Sequence, residues 1–109
     1  MYKMNIKPMS VNEAWQGRRF KTKKYIQYCA NLLLMLPKLT VPKINLEINF
    51  IFGITAISDI DNPLKLILDI FQKKYKFDDK QIMKLTVEKK IVKQGQEFFL
   101  FDIKPYICE

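Results

Sequence analysis

The chain has 109 residues, a size that fits one domain spanning 1–109, and 49% of them are apolar, enough for a modest core that dimerisation would help to stabilise. It contains no histidine, which excludes histidine-dependent triads, histidine zinc sites and histidine–metal nucleases. The net charge of +8 points to a polyanionic partner and leaves hydrolysis, if any, to carboxylates, lysine, hydroxyls or a metal held by oxygen.

In chain order, Tyr2 to Ile6 reads as a weak first strand, and Met1–Asn5 has no apolar leader. The longest apolar run, Leu32 to Leu36, falls far short of the ~20 residues that cross a bilayer, so a soluble, cytoplasmic protein is expected. Lys7 to Lys21 reads as a loop broken by Pro8, Ser10, Asn12 and Gly17. Thr22 can cap a helix that ends at Pro37, with Tyr25, Cys29, Leu32 and Leu36 along one apolar stripe. Cys29 and Cys108 share no Cys-x-x-Cys pair and read as free thiols. Ile44 to Phe52 alternates with period two, as a half-buried strand does, until Gly53 breaks the pattern.

A second helix is expected to begin at Pro63, burying Leu64, Ile67, Leu68, Phe71 and Tyr75 and leaving Lys65, Asp69 and Gln72 along one flank. Met83 to Val92 and Glu97 to Ile103 read as strands joined into a closing hairpin by the turn Lys93-Gln94-Gly95-Gln96. The resulting β-α-β-α-β-β order predicts an α+β domain, two helices packed on a mixed sheet.

The charges are unevenly placed. Residues 1–46 hold nine lysines or arginines and one acid, Glu13, whereas five of the eleven acids fall between Asp59 and Asp79. Arg18, Arg19, Lys21, Lys23 and Lys24 put five cations into seven residues at the start of the first helix, where they oppose its dipole. That placement makes sense if they contact DNA phosphates, and is otherwise a solvated loop with unfavourable electrostatics. Trp15 can stack on an unpaired base, though a single tryptophan more often serves packing.

Asp59 and Asp61, two residues apart in extended chain, point the same way and suit a hard cation such as Mg²⁺, with Asp79 folding back as a third ligand. Lys65 stands one turn from Asp61, close enough to address a phosphate or an attacking water. Simpler readings stand beside this one. Asp61 or Asn62 can cap the second helix, Lys65 and Asp69 can form an i,i+4 surface pair, and Asp78-Asp79 can cap a short helix. A calcium EF-hand loop is excluded, because its glycine position holds Leu64 and its closing glutamate position holds Ile70.

The order Asp59, Asp61, Asn62, Lys65, Asp69, Asp78, Asp79, preceded by Lys7-Pro8-Met9-Ser10-Val11-Asn12, Trp15, Gly17-Arg18-Arg19-Phe20 and Tyr25, resembles the RusA family of phage and bacterial Holliday-junction resolvases. The resemblance implies a homodimeric, Mg²⁺-dependent endonuclease, with Mn²⁺ as a substitute, that makes paired nicks in four-way DNA junctions during recombination and repair. It assigns metal binding to Asp59, Asp61 and Asp79 and catalysis to these with Lys65, with Asn12, Asn62, Asp69 and Asp78 in support. Two other readings remain open from the residues themselves: a non-catalytic protein that binds branched or single-stranded DNA, and a basic module for an acidic protein partner.

Overall fold

A computed structural model describes residues 1–9, 15–16 and 20–107. Among the described residues, six strands and two helices follow in order: β1 (Tyr2–Met4), β2 (Trp15–Gln16), β3 (Phe20–Lys21), α1 (Lys23–Met35), β4 (Leu46–Ile54), α2 (Leu64–Tyr75), β5 (Ile82–Ile91) and β6 (Phe98–Pro105), with a 3-10 turn, Asp79–Gln81, ahead of β5. The main sheet runs β1-β6-β4-β5, with β4 parallel to β5 and antiparallel to β6. The expected α+β architecture, a mixed sheet with two helices, is therefore present.

Thr22 caps α1, its hydroxyl accepting the Tyr25 N–H at 3.1 Å, and the predicted stripe of Tyr25, Cys29, Leu32 and Leu36 is buried throughout. Helix α2 buries Leu66, Ile67, Ile70, Phe71 and Tyr75. The expected face is thus rotated, since Leu64 and Leu68 are only half-buried and Leu66 and Ile70 take the deep places. The apolar residues of this helix are too continuous for period alone to choose which of two adjacent stripes meets the sheet. Phe71 settles against Phe50, Phe99 and Phe101, with ring centroids 5.4, 6.3 and 4.7 Å away, and these rings form the centre of the core. The two helices are tied together where Tyr75 donates its hydroxyl to the Pro37 carbonyl at 2.7 Å and Lys74 donates to the Leu33 carbonyl at 3.0 Å. No helix among the described residues is long and apolar enough to cross a membrane.

Three expectations are corrected. The segment 7–21 is not all loop, because β2 and β3 pair antiparallel within it, Trp15 against Lys21. The last two strands are not a hairpin. They flank β4 on opposite sides, and the connection between them passes over the end of β4, where the Val92 N–H donates to the Ile54 carbonyl at 3.0 Å. Burial accounts for this order: Leu46, Ile48, Phe50 and Phe52 of β4 are all at most 1% exposed, whereas most of β5 is exposed, so the more apolar strand takes the centre. Finally, β4 continues through Gly53 to Ile54. Gly53 lies opposite Phe98 of β6, whose ring covers it, and a Cβ there would overlap the ring. The glycine is a seat for an aromatic ring rather than a break.

On the sheet face away from the helices, the Asn49 amide donates to Glu47 at 3.0 Å and to Asp102 at 2.7 Å, its carbonyl oxygen accepts the Thr86 hydroxyl, and Lys104 pairs with Glu47 at 3.4 Å. Lys3 of β1 sits over the Phe98 ring, 4.8 Å from its centroid.

The Gly53–Phe98 seat is open to test. Gly53→Ala is expected to destabilise the fold by about 1–3 kcal/mol, read as a lower urea midpoint. Combined with Phe98→Ala, which removes the ring, it is expected to cost less than the sum of the two single changes.

Candidate active site

The chain leaves the sheet at Ile54 and reaches α2 through residues 55–63, a run of tight turns. Ser58 N–H donates to the Thr55 carbonyl at 3.0 Å, Asn62 N–H to that of Asp59 at 3.4 Å, and Leu64 N–H to that of Asp61 at 3.2 Å. The Thr55 and Ser58 hydroxyls are 2.9 Å apart. Pro63, buried and in helical conformation, occupies the position before Leu64, and no side chain caps the helix there. The reading of Asp61 or Asn62 as an N-cap is thereby removed. Asp61 is exposed and Asn62 half-buried, and neither is engaged as a cap.

Asp59 and Asp61 face different spaces. Asp59 lines a cleft of about 260 Å³ together with Lys7, Ser58, Asn62 and Glu97. Asp61 lines a second cleft of about 270 Å³, with Leu64, Lys65, Leu68, Asp69 and Asp79, along the flank of α2. The second cleft therefore gathers the basic and acidic residues of the helix flank, as their three- and four-residue spacing dictates. Among the described residues the ion pair within 4.0 Å is Lys104–Glu47, so Lys65 and Asp69 are not held as the surface pair their spacing allows. Asp69 is half-buried and approaches the Tyr25 hydroxyl of α1, whose pKa is raised by burial and then by the nearby Cys29 and Asp69.

The two adjacent aspartates after the helix are unlike each other. Asp78 caps the 3-10 turn, accepting the Lys80 N–H at 3.0 Å while its own N–H donates to Gln81 at 2.9 Å. Gln81 in turn donates to the Ile44 carbonyl at 3.1 Å, anchoring the turn to the start of β4. Local structure explains Asp78 and leaves Asp79, exposed and facing the second cleft, without such a duty.

The polarity of the fold keeps Asp79 apart. Because β4 and β5 are parallel, residues 79–82 lie beside Leu46 at the start of β4, whereas Asp59 and Asp61 come after its end at Ile54. Nine residues of strand put about 26 Å between those backbone ends, although Asp61 and Asp79 both still line the second cleft on the flank of α2. Among the described residues no three carboxylates stand together as a group able to hold a metal ion. Asp59, Asp61 and Asp79, expected to share one ion, are thus not brought together within a single chain. Asp61 and Asp79 alone share a cleft.

Of the expected DNA-binding residues, Lys23 and Lys24 are exposed in the first turn of α1, a turn that itself holds no acidic residue. Lys21 belongs to β3, and Arg18 and Arg19 lie outside the described residues, as does Asn12, expected in a supporting role. Three residues given no site role from the sequence border the acidic loop: Lys7, quoted only for the resemblance, and Glu97 in the Asp59 cleft, and Lys89 of β5. Lys89 carried a readable signal, since it occupies the row of Leu85 and Val87 where period two calls for an apolar side chain.

No curated protein matches the chain. One family does, described as Endodeoxyribonuclease RusA, and the match covers residues 7–97, from the cleft-lining Lys7 through both acidic segments to Glu97. The chain belongs to the RusA endodeoxyribonuclease family, whose nucleases resolve Holliday junctions.

Proposed function

We propose that this protein is a Mg²⁺-dependent endonuclease that acts as a homodimer and places paired nicks in four-way DNA junctions. The observation that carries the reading is the cleft along α2, which Asp61, Asp69 and Asp79 line together with Lys65 without serving as caps or ion-pair partners. Carboxylates left exposed beside a polyanion-binding surface are costly for DNA binding and gain a purpose as cation ligands.

Among the described residues one chain has no three-carboxylate set, and a second copy could complete one. A two-fold axis reverses the polarity of the β4-α2-β5 unit, so it can set Asp79 of one chain beside the Asp59–Asp61 end of the other. Mg²⁺ bound there would polarise the phosphodiester. Lys65 would offset charge on the phosphoryl oxygens, and Lys23 and Lys24, with Arg18, Arg19 and Lys21 before them, would hold the DNA arms. The two-fold arrangement also addresses opposing strands of a junction, which paired nicking needs.

Asp61→Asn is expected to lower cleavage of a labelled four-way junction in Mg²⁺ by about a hundredfold or more while binding is kept or tightened, because negative charge beside the DNA is removed. Wild-type protein that retards the junction but leaves it uncut in Mg²⁺ and Mn²⁺ would instead favour a non-catalytic binder of branched DNA, the reading that the dispersed carboxylates of one chain suggest. Mixing Asp61→Asn with Asp79→Asn protein tests the shared site. If sites are built between chains, a mixed dimer has one site with both changes and one with neither, so single nicking returns. If each chain builds its own site, every site carries a change and the mixture stays inactive. Lys24→Ala is expected to weaken junction binding uniformly across sequences and to reduce the slope of log affinity against log salt by about 1.

A further inference from the structure

The segment that presents Asp59 and Asp61 is held mostly by bonds within itself, between Thr55 and Ser58 and between Asp59 and Asn62. Its fastening to the sheet comes from one side chain. The Lys89 ammonium, on β5, donates to the Ala56 carbonyl at 3.0 Å and to the Ser58 carbonyl at 2.5 Å. Among the described residues these are the hydrogen bonds that join 56–58 to the sheet. Lys89 pairs in register with Phe52 of β4, lies in the same row as Val87, and is half-buried, whereas its neighbours Glu88 and Lys90 are exposed. A lysine serving only solubility would extend into water. This one turns inward and spends two of its three donors on backbone oxygens of the acidic loop.

We infer that Lys89 is a positioning residue of the nuclease, a clamp that sets the backbone immediately before Asp59 and so fixes where Asp59 and Asp61 stand relative to Lys65. The inference rests on the proposed nuclease activity and adds a residue to it. Ser58 precedes Asp59 directly and Asp61 comes two residues later, so releasing the Ser58 carbonyl frees both carboxylates to drift. Displacement of a reacting group by about 1 Å costs up to a hundredfold in rate. Lys89 acts from behind the loop, through carbonyl groups, so its removal is expected to change the rate of the bound complex and not the affinity for DNA.

Lys89→Met keeps the apolar stem as far as Cε but has no donor, and Lys89→Arg restores donors in a fork that can span two carbonyls. In single-turnover cleavage of a four-way junction at saturating protein, Lys89→Met is expected to be about tenfold to a hundredfold slower, with junction affinity within about twofold of wild type. Lys89→Arg is expected to recover most of the rate. Amide hydrogen exchange at Ser58 and Asn62 in the free protein is expected to quicken in Lys89→Met and to return in Lys89→Arg. Lys89→Gln, whose shorter, uncharged amide has two donors on a nitrogen that reaches less far, serves the same comparison if the methionine variant does not fold. A folded Lys89→Met that cleaves at the wild-type rate overturns the inference. So does a variant that loses affinity while its saturated rate is unchanged, which would make Lys89 a DNA contact. Unchanged exchange in an active protein overturns the clamp alone, whereas a wild-type chain that never cuts overturns the nuclease reading and the catalytic consequence with it.

Discussion

The parallel pairing of β4 with β5 is the constraint on which the rest of this molecule depends. A parallel pair cannot be closed by a tight turn, so the chain must travel back along the sheet before the second strand begins, and α2 is that return path. Its route dictates the position of every candidate residue. The segment after β4 lies at one end of the sheet, the segment before β5 lies at the other, and the flank of the helix joins them as a line of alternating charge. Lys65 and Asp69 occupy the middle of that line because a helix turns once in 3.6 residues.

The same layout explains why the core is so aromatic. Two helices must cover strands that expose a wide apolar face, and large rings fill that breadth with few residues. Phe50, Phe99 and Phe101 come from adjacent strands and meet Phe71 from the helix, with Phe52 packed against Phe50 and Phe99, leaving the opposite face of the sheet to a polar network centred on Asn49. A rigid platform of this kind suits a function that needs a short loop held at one end of a sheet.

Much of this was legible in the sequence. The stripe of α1, its Thr22 cap and the period-two rows of β4 come from local rules that the structure obeys. The order of strands was not legible, because adjacency in sequence and a turn signal at Gly95 favour a hairpin, while the true order is decided by which strand is most apolar over its whole length. Gly53 misled for a related reason, since its partner is Phe98, forty-five positions away (53 to 98) and visible only once the register is known. The acidic residues were identified by type and spacing, yet the separation of Asp79 from Asp59 is a property of topology that spacing along the chain does not encode. Asp78 and Asp79, neighbours of identical type, part company because one is spent on a capping box.

The position of β5 at the border of the sheet has a practical consequence. Its ten residues present a row of unpaired backbone donors and acceptors on one side, and the exposed Lys84, Glu88 and Lys90 supply the charge that discourages another strand from joining there. Such protection is electrostatic and fades as ions accumulate around it, with a screening length of about 3 Å at 1 M salt. Concentrated brine, the usual means of stripping nucleic acid from a basic protein, is therefore the condition under which this strand is least guarded against self-association.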